Sequence, residues 1–169
     1  MIDPRYVQTM ARYNSWQNKQ LMPELETMTF EEISLDPGGF FGSILATANH
    51  LLWGDLMWMS RFDPSVDAPE SGLADSVDLH PTVSSWSADR FRTDGKIRFW
   101  ADGVRALDLK GDLTWFSGAA GRQITAPMAS TVVHFFNHQT HHRGQIHAML
   151  TAAGRQAPVS DLFLMPEEC

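Results

Sequence analysis

Apolar side chains along the chain recur mostly at helical spacing. Asp3-Pro4 reads as an N-cap followed by proline at the first helical position, and Tyr6, Val7, Met10, Tyr13, Trp16 and Leu21 follow it. The pattern predicts a first helix to about Met22, with Pro23 bending it or opening a second short segment. Thr29 with Glu31 and Glu32 predicts a brief capped turn, and Asp36-Pro37-Gly38-Gly39 a reversal. From Gly42 to Arg61 the apolar residues cover nearly the whole circumference of a second helix. A helix that is apolar all round lies centrally in a bundle or partly in an oligomer interface. Asp63-Pro64 ends it, and the Asp-, Ser- and Pro-rich stretch 65–81 predicts a long surface connection. Ser84 or Ser85 caps a predicted third helix through Trp86, Phe91, Ile97, Trp100 and Val104, with Gly95 weakening its middle. Residues 113–116 and 122–125 flank Gly118-Ala119-Ala120-Gly121 and predict a small β-hairpin. Pro127 opens a last long helix that runs to Ala153 and stops at Gly154, after which the run Leu162–Met165 is expected to pack back on the body.

Composition narrows the class. A chain of 169 residues with 43% hydrophobic residues supports one domain with a sizeable core, taken as residues 1–169. A formal charge of −7 with no Lys/Arg cluster excludes a nucleic-acid partner, which needs a basic stripe. The most apolar segment, Phe40 to Met59, contains Asn49, His50 and Asp55, so no membrane span is expected. Met1 to Tyr6 shows no basic stretch leading into an apolar run, which makes a cytoplasmic location the expectation. The lone Cys169 cannot form an internal disulfide and is a poor nucleophile candidate.

Five of the seven histidines fall between His134 and His147, inside the last helix. His138 and His142 stand one turn apart and about 40° apart around the axis, so both imidazoles can address one point. That i, i+4 geometry is how a metalloprotease helix grips zinc. Gln145 and Met149 lie near the same line and turn it towards the core. His141 or His134 is an alternative partner for His138, but the interior line favours His142. His50, mid-way along the second helix with small residues on its face, is the natural third ligand. Three histidines on a divalent ion leave one position open, the arrangement of catalytic sites. Packing histidines or a pH-responsive surface are the bland alternatives.

The chain also resembles the DinB-like (DinB/YfiT) family. Ala11-Arg12-Tyr13-Asn14-Ser15-Trp16-Gln17-Asn18-Lys19-Gln20-Leu21 carries part of the likeness. Phe41-Gly42-Ser43-Ile44-Leu45, then Ala48-Asn49-His50, Asp55 and Trp58, carries another. His134, the string Asn137-His138-Gln139-Thr140-His141-His142-Arg143-Gly144-Gln145, and Asp161-Leu162 complete it. The resemblance implies an all-α, up-down-up-down four-helix bundle with His50, His138 and His142 as metal ligands. It further implies a thiol-dependent transferase or isomerase using a low-molecular-weight bacterial thiol.

Taken together, the expected cofactor is a divalent metal, zinc or nickel, and the expected partner a small-molecule substrate. The leading expectation is a metal-dependent enzyme that activates a thiol or water, with Gln145 orienting a ligand or substrate. A metal-dependent hydrolase and a non-catalytic structural bundle are the alternatives. Glu-x-x-His pairs of di-iron bundles, a Ser–His–Asp signature and a phosphate loop are all missing from the sequence. Asp55 is a possible ion-pair partner for Arg143, and Asn14 with Asn18 a buried polar link to the second helix. The apolar second helix, with Phe136 and His147 opposite the metal face, leads to the expectation of a homodimer.

Overall fold

The computed structural model describes residues 2–167 and is mostly helical. Its order is α1 (Pro4–Glu26), α2 (Phe30–Ser34), α3 (Ile44–Phe62), α4 (Val83–Gly103), β1 (Asp112–Ser117), β2 (Arg122–Pro127) and α5 (Met128–Ala152). Short 3-10 helices lie at Leu73–Asp78 and Leu162–Leu164. Cys169 falls outside the described residues. Among the described residues no helix is long and apolar enough to cross a membrane.

Side-chain caps set the helix starts. Asp3, Thr29, Ser43 and Thr82 each accept a hydrogen bond from the backbone N–H of the third residue of the helix that follows. The third long helix therefore starts from Thr82 rather than from Ser84 or Ser85. Pro23 does not end α1; it sits in the last turn, and the helix continues to Glu26. The hairpin is present, with Trp115 opposite Ile124. Gly154, at φ +71°, closes α5 as Arg155 N–H donates to Leu150 O at 2.9 Å, a left-handed cap that suits glycine.

The directions of the helices correct one expectation. Along α3 and α4 the contacts rise together: Ala48 O accepts from Trp86 Nε1, Asp55 pairs with Arg90, and Phe62 stacks on Trp100. These two helices therefore run parallel. α1 and α5 are parallel as well, since Tyr6 meets Phe136 and Asn14 meets Arg143. α3 and α5 are antiparallel, with His50 near His142 and Gly54 against His138. The order is thus up-down-down-up, not up-down-up-down. The cause is the connection from residue 63 to 82, which is long enough to carry the chain back along the length of α3.

The interior has two apolar clusters, one around Leu21, Leu52, Trp86 and Leu150, the other around Val7, Met59, Ile97 and Phe135. Phe136 belongs to the second and is fully buried, so it offers nothing to a dimer surface. Polar groups that touch all four long helices are buried with these clusters. Arg90 of α4 donates to Asp55 of α3 at 2.6 Å and to Asp94 at 2.7 Å. Asn14 and Asn18 of α1 donate to Asp94, and Gln139 of α5 donates to Asp55 at 3.0 Å. Arg143 donates to Asn14 Oδ1 and lies over the Tyr13 ring. The partner of Asp55 is therefore Arg90, which the sequence pattern did not single out, and not Arg143. The expected link from Asn14 and Asn18 runs to α4, not to the second helix.

The tail also differs from expectation. Phe163 is 83% exposed, and the segment is held by its backbone instead. Tyr13 Oη donates to Ser160 O, Gln17 to Val159 O and Arg12 to Pro166 O.

Arg90→Met leaves two buried carboxylates facing each other, and loss of one partner from a buried pair costs about 3–5 kcal/mol. Urea denaturation should show a large fall in midpoint for Arg90→Met. The exposed pair Arg105–Asp108 provides the control, since Asp108→Asn should leave the midpoint unchanged.

Candidate metal centre

His50 stands near the middle of α3, while His138 and His142 stand one turn apart on α5. Their ligand-capable nitrogens all lie within 4.8 Å of one another. His138 Nε2 and His142 Nε2 are 3.1 Å apart, close to the ~3.3 Å edge of a tetrahedron with metal–nitrogen bonds of about 2.05 Å. His50 and His142 are buried and His138 half-buried. His134 and His141, the alternative ligands, do not join the cluster. His134 packs edge-on against Trp58, and His141 is exposed with Gln145 beside it.

Outer partners aim two of the three rings. His50 Nδ1 lies 2.8 Å from Ser76 Oγ, and His142 Nδ1 lies 2.7 Å from Gln145 Oε1. Gln145 Nε2 faces His141 Nε2 at 3.3 Å, which keeps the amide oxygen turned to His142. With the Nδ1 protons donated outward, the Nε2 lone pairs of His50 and His142 are free to coordinate. Sequence reasoning anticipated Gln145 near the ligand line. It missed Ser76, a fully buried residue of the 65–81 connection. Three tethers bring that segment over α3: Asn49 Nδ2 donates to Val77 O and His80 O, and Trp53 Nε1 donates to Ser71 O. Phe41, part of one motif that carries the family likeness, also has a place at the centre. Its ring stacks on His50 at 3.9 Å and closes the far side of the cluster.

His138 differs from the other two. Its Nδ1 is buried without a hydrogen-bond partner, and its ring lies against Gly54. A Cβ on Gly54 would come within 2.7 Å of His138 Cε1, so only glycine at this position in the middle of a helix lets the imidazole approach.

The electrostatics favour a cation. Burial, helped by nearby His142, pushes the His50 pKa down to about 4. Burial and the neighbouring histidines push His138 down to about 3. Burial also lowers His142, against the raising effect of Gln145. At neutral pH these rings are uncharged, the form that coordinates metals. His142, with its Nδ1 proton turned to Gln145, presents its Nε2 lone pair to His138 Nε2 at 3.1 Å, and a cation between the two would take both lone pairs once His138 carries its proton on Nδ1. The residues present therefore fit a divalent metal.

The centre opens onto a cleft of about 690 Å³. Trp53, Met57 and Trp58 of α3 form one wall, and Trp115 with the hairpin turn forms another. His50 and His138 line it as well, and so does His134.

Fold and site together define a mostly helical protein with a three-histidine cluster that could hold a metal ion, open to an apolar cavity. The chain belongs to the DinB family, whose model matches residues 1–168. A search of curated proteins finds no match. Among solved structures, the crystal structure of a DinB-like protein from Bacillus cereus ATCC 10987 is similar, with a TM-score of 0.63 and 18% identity. The match covers 85% of this chain and 90% of that one, and at this identity it is a likeness of fold.

Gly54→Ala is expected to displace His138 and weaken zinc binding by at least about tenfold, the lower end for a disturbed ligand environment. Gly95→Ala, where a Cβ meets nothing within 4 Å, should leave zinc binding unchanged. Calorimetric zinc titration of both variants checks this.

Proposed function

We propose that the chain is a metal-dependent enzyme that uses His50, His138 and His142 to hold zinc or nickel and activates a small thiol for transfer to an electrophile. The carrying observation is the convergence of three imidazoles, two of which, His50 and His138, line a large and mainly apolar cleft. A purely structural histidine cluster needs no such cavity, whereas small-molecule sites are typically apolar clefts of this size with few polar groups. When bound, a divalent ion acts as a Lewis acid and lowers the pKa of a coordinating thiol or water.

The chain's own residues supply orientation and enclosure. Ser76 and Gln145 fix two imidazoles, Gly54 admits the third, and Phe41 shields the cluster from the far side. Trp53, Trp58 and Trp115 give an electrophile with an apolar or aromatic body a surface to lie on. In the transfer, sulfur forms a bond to the electrophilic carbon, the leaving group departs with its bonding electrons, and the thiol proton passes to solvent.

Hydrolysis is the weaker alternative. Water is far less acidic than a thiol and profits more from a general base. Among the described residues no Asp or Glu lines the cleft to serve as one, and the one imidazole there outside the ligand set, His134, packs against Trp58.

The test is a comparison of zinc- and nickel-loaded protein with an activated aryl halide plus a panel of low-molecular-weight thiols, against activated esters without thiol. Thiol-dependent product formation is expected, falling on the order of 100-fold in His138→Ala. Thiol transfer that survives in His138→Ala, or ester turnover without any thiol, would overturn the reading.

A further inference from the structure

The cleft differs from the rest of the molecule in its charge. The chain carries 20 acidic residues and a formal charge of −7, yet no described residue lining the cleft is acidic. Arg61 is the one Arg, Lys, Asp or Glu among its lining residues. Arg61 extends from the last turn of α3 and is half-buried. Its guanidinium carbon lies 4.5 Å from the Trp58 ring centroid and 5.7 Å from that of Trp115.

Several other arginines are satisfied differently. Arg90 has Asp55 and Asp94, Arg155 has Glu32, Arg105 has Asp108, and Arg12 has tail carbonyls. Among the described residues, no carboxylate or carbonyl accepts a hydrogen bond from Arg61. The two indole faces hold the cation in place without neutralising it, and leave its planar fork of N–H donors available. A role as a clip between α3 and the hairpin accounts for the stacking but leaves those donors unused.

Position adds a length. Arg61 follows Gly54, the residue touching His138, by seven positions, which is about 10 Å along the helix axis. The charge to be matched is single. At the Arg61 end one guanidinium balances one carboxylate, whereas a phosphate dianion there would leave excess charge against the Trp58 and Trp115 rings.

We propose that Arg61 anchors the carboxylate of an elongated, apolar monocarboxylic substrate whose other end reaches the histidine centre. This rests on reading the cleft as the substrate cavity, and it does not depend on the metal being bound or on the transfer chemistry. Arg61 is a specificity-determining residue in this account, placed at the end of the cleft away from the reacting atoms.

The test uses the zinc-supplemented full chain and the matched probes 4-phenylbutyrate and 4-phenylbutyramide, followed by tryptophan fluorescence. A hydrogen-bonded ion pair in a partly desolvated site favours the acid over the amide by about tenfold or more. In Arg61→Met, which keeps the apolar bulk, the acid should fall to the affinity of the amide while the amide itself is unchanged. Arg61→Lys should recover only part of the preference, since it keeps the charge and loses the fork. The same preference should persist after chelation, which separates this inference from the metal-enzyme reading. A preference that survives in Arg61→Met, or that disappears with the metal, places the carboxylate at the histidines and overturns the proposal. Equal binding of acid and amide by the wild type, or no binding of the acid at millimolar concentration, overturns it as well.

Discussion

The buried contact between Asp55 and Gln139 sets the register between α3 and α5, and the histidine centre depends on that register. Asp55 follows Gly54, and Gln139 follows His138, so the hydrogen bond between one pair of neighbours presses the other pair together. Asp55 is in turn fixed by Arg90, Arg90 by Asp94, and Asp94 by the asparagines of α1. Two buried carboxylates and two buried guanidiniums give a network of zero net charge that reaches every long helix. Such a network is weak evidence for stability, because desolvation offsets much of the attraction. Its value here is specificity: a slip of one helix along another would strand a buried charge.

On that frame the three histidines are arranged so that they could hold a cation. Burial keeps the imidazoles neutral, outer hydrogen bonds aim two of them, and the third is admitted by the absence of a Cβ. Little side-chain rearrangement is then required at binding, which is the usual advantage of a preorganised site. The crossover from α3 to α4 contributes as well. It reverses the chain so that α3 and α4 run parallel, and on the way it delivers Ser76 to His50.

Much of this was legible in the sequence because it depends on spacing within one element. The i, i+4 pair His138 and His142, the position of His50, the β-hairpin and the Gly154 stop all follow from local periodicity and turn chemistry. What depended on distant parts of the chain was hidden. Ser76 sits in a polar stretch with no pattern that marks it as buried, and Arg90 looks like any helical arginine until Asp55 and Asp94 are placed around it. The parallel course of α3 and α4 is a property of the connection's path, and residue patterns do not encode a path. Leu162–Met165 misled for the opposite reason: an apolar run implies burial, yet the tail is held by hydrogen bonds to backbone carbonyls on either side of that run.

The claim on which the account turns is that the three histidines form a metal site, and elemental analysis of protein purified without a metal-affinity tag tests it most directly. The account predicts about one equivalent of zinc or nickel per chain, retained through dialysis and lost in His50→Ala and in His142→Ala. Protein that carries no divalent metal and takes none up on titration, or variants that retain the full equivalent, would contradict it.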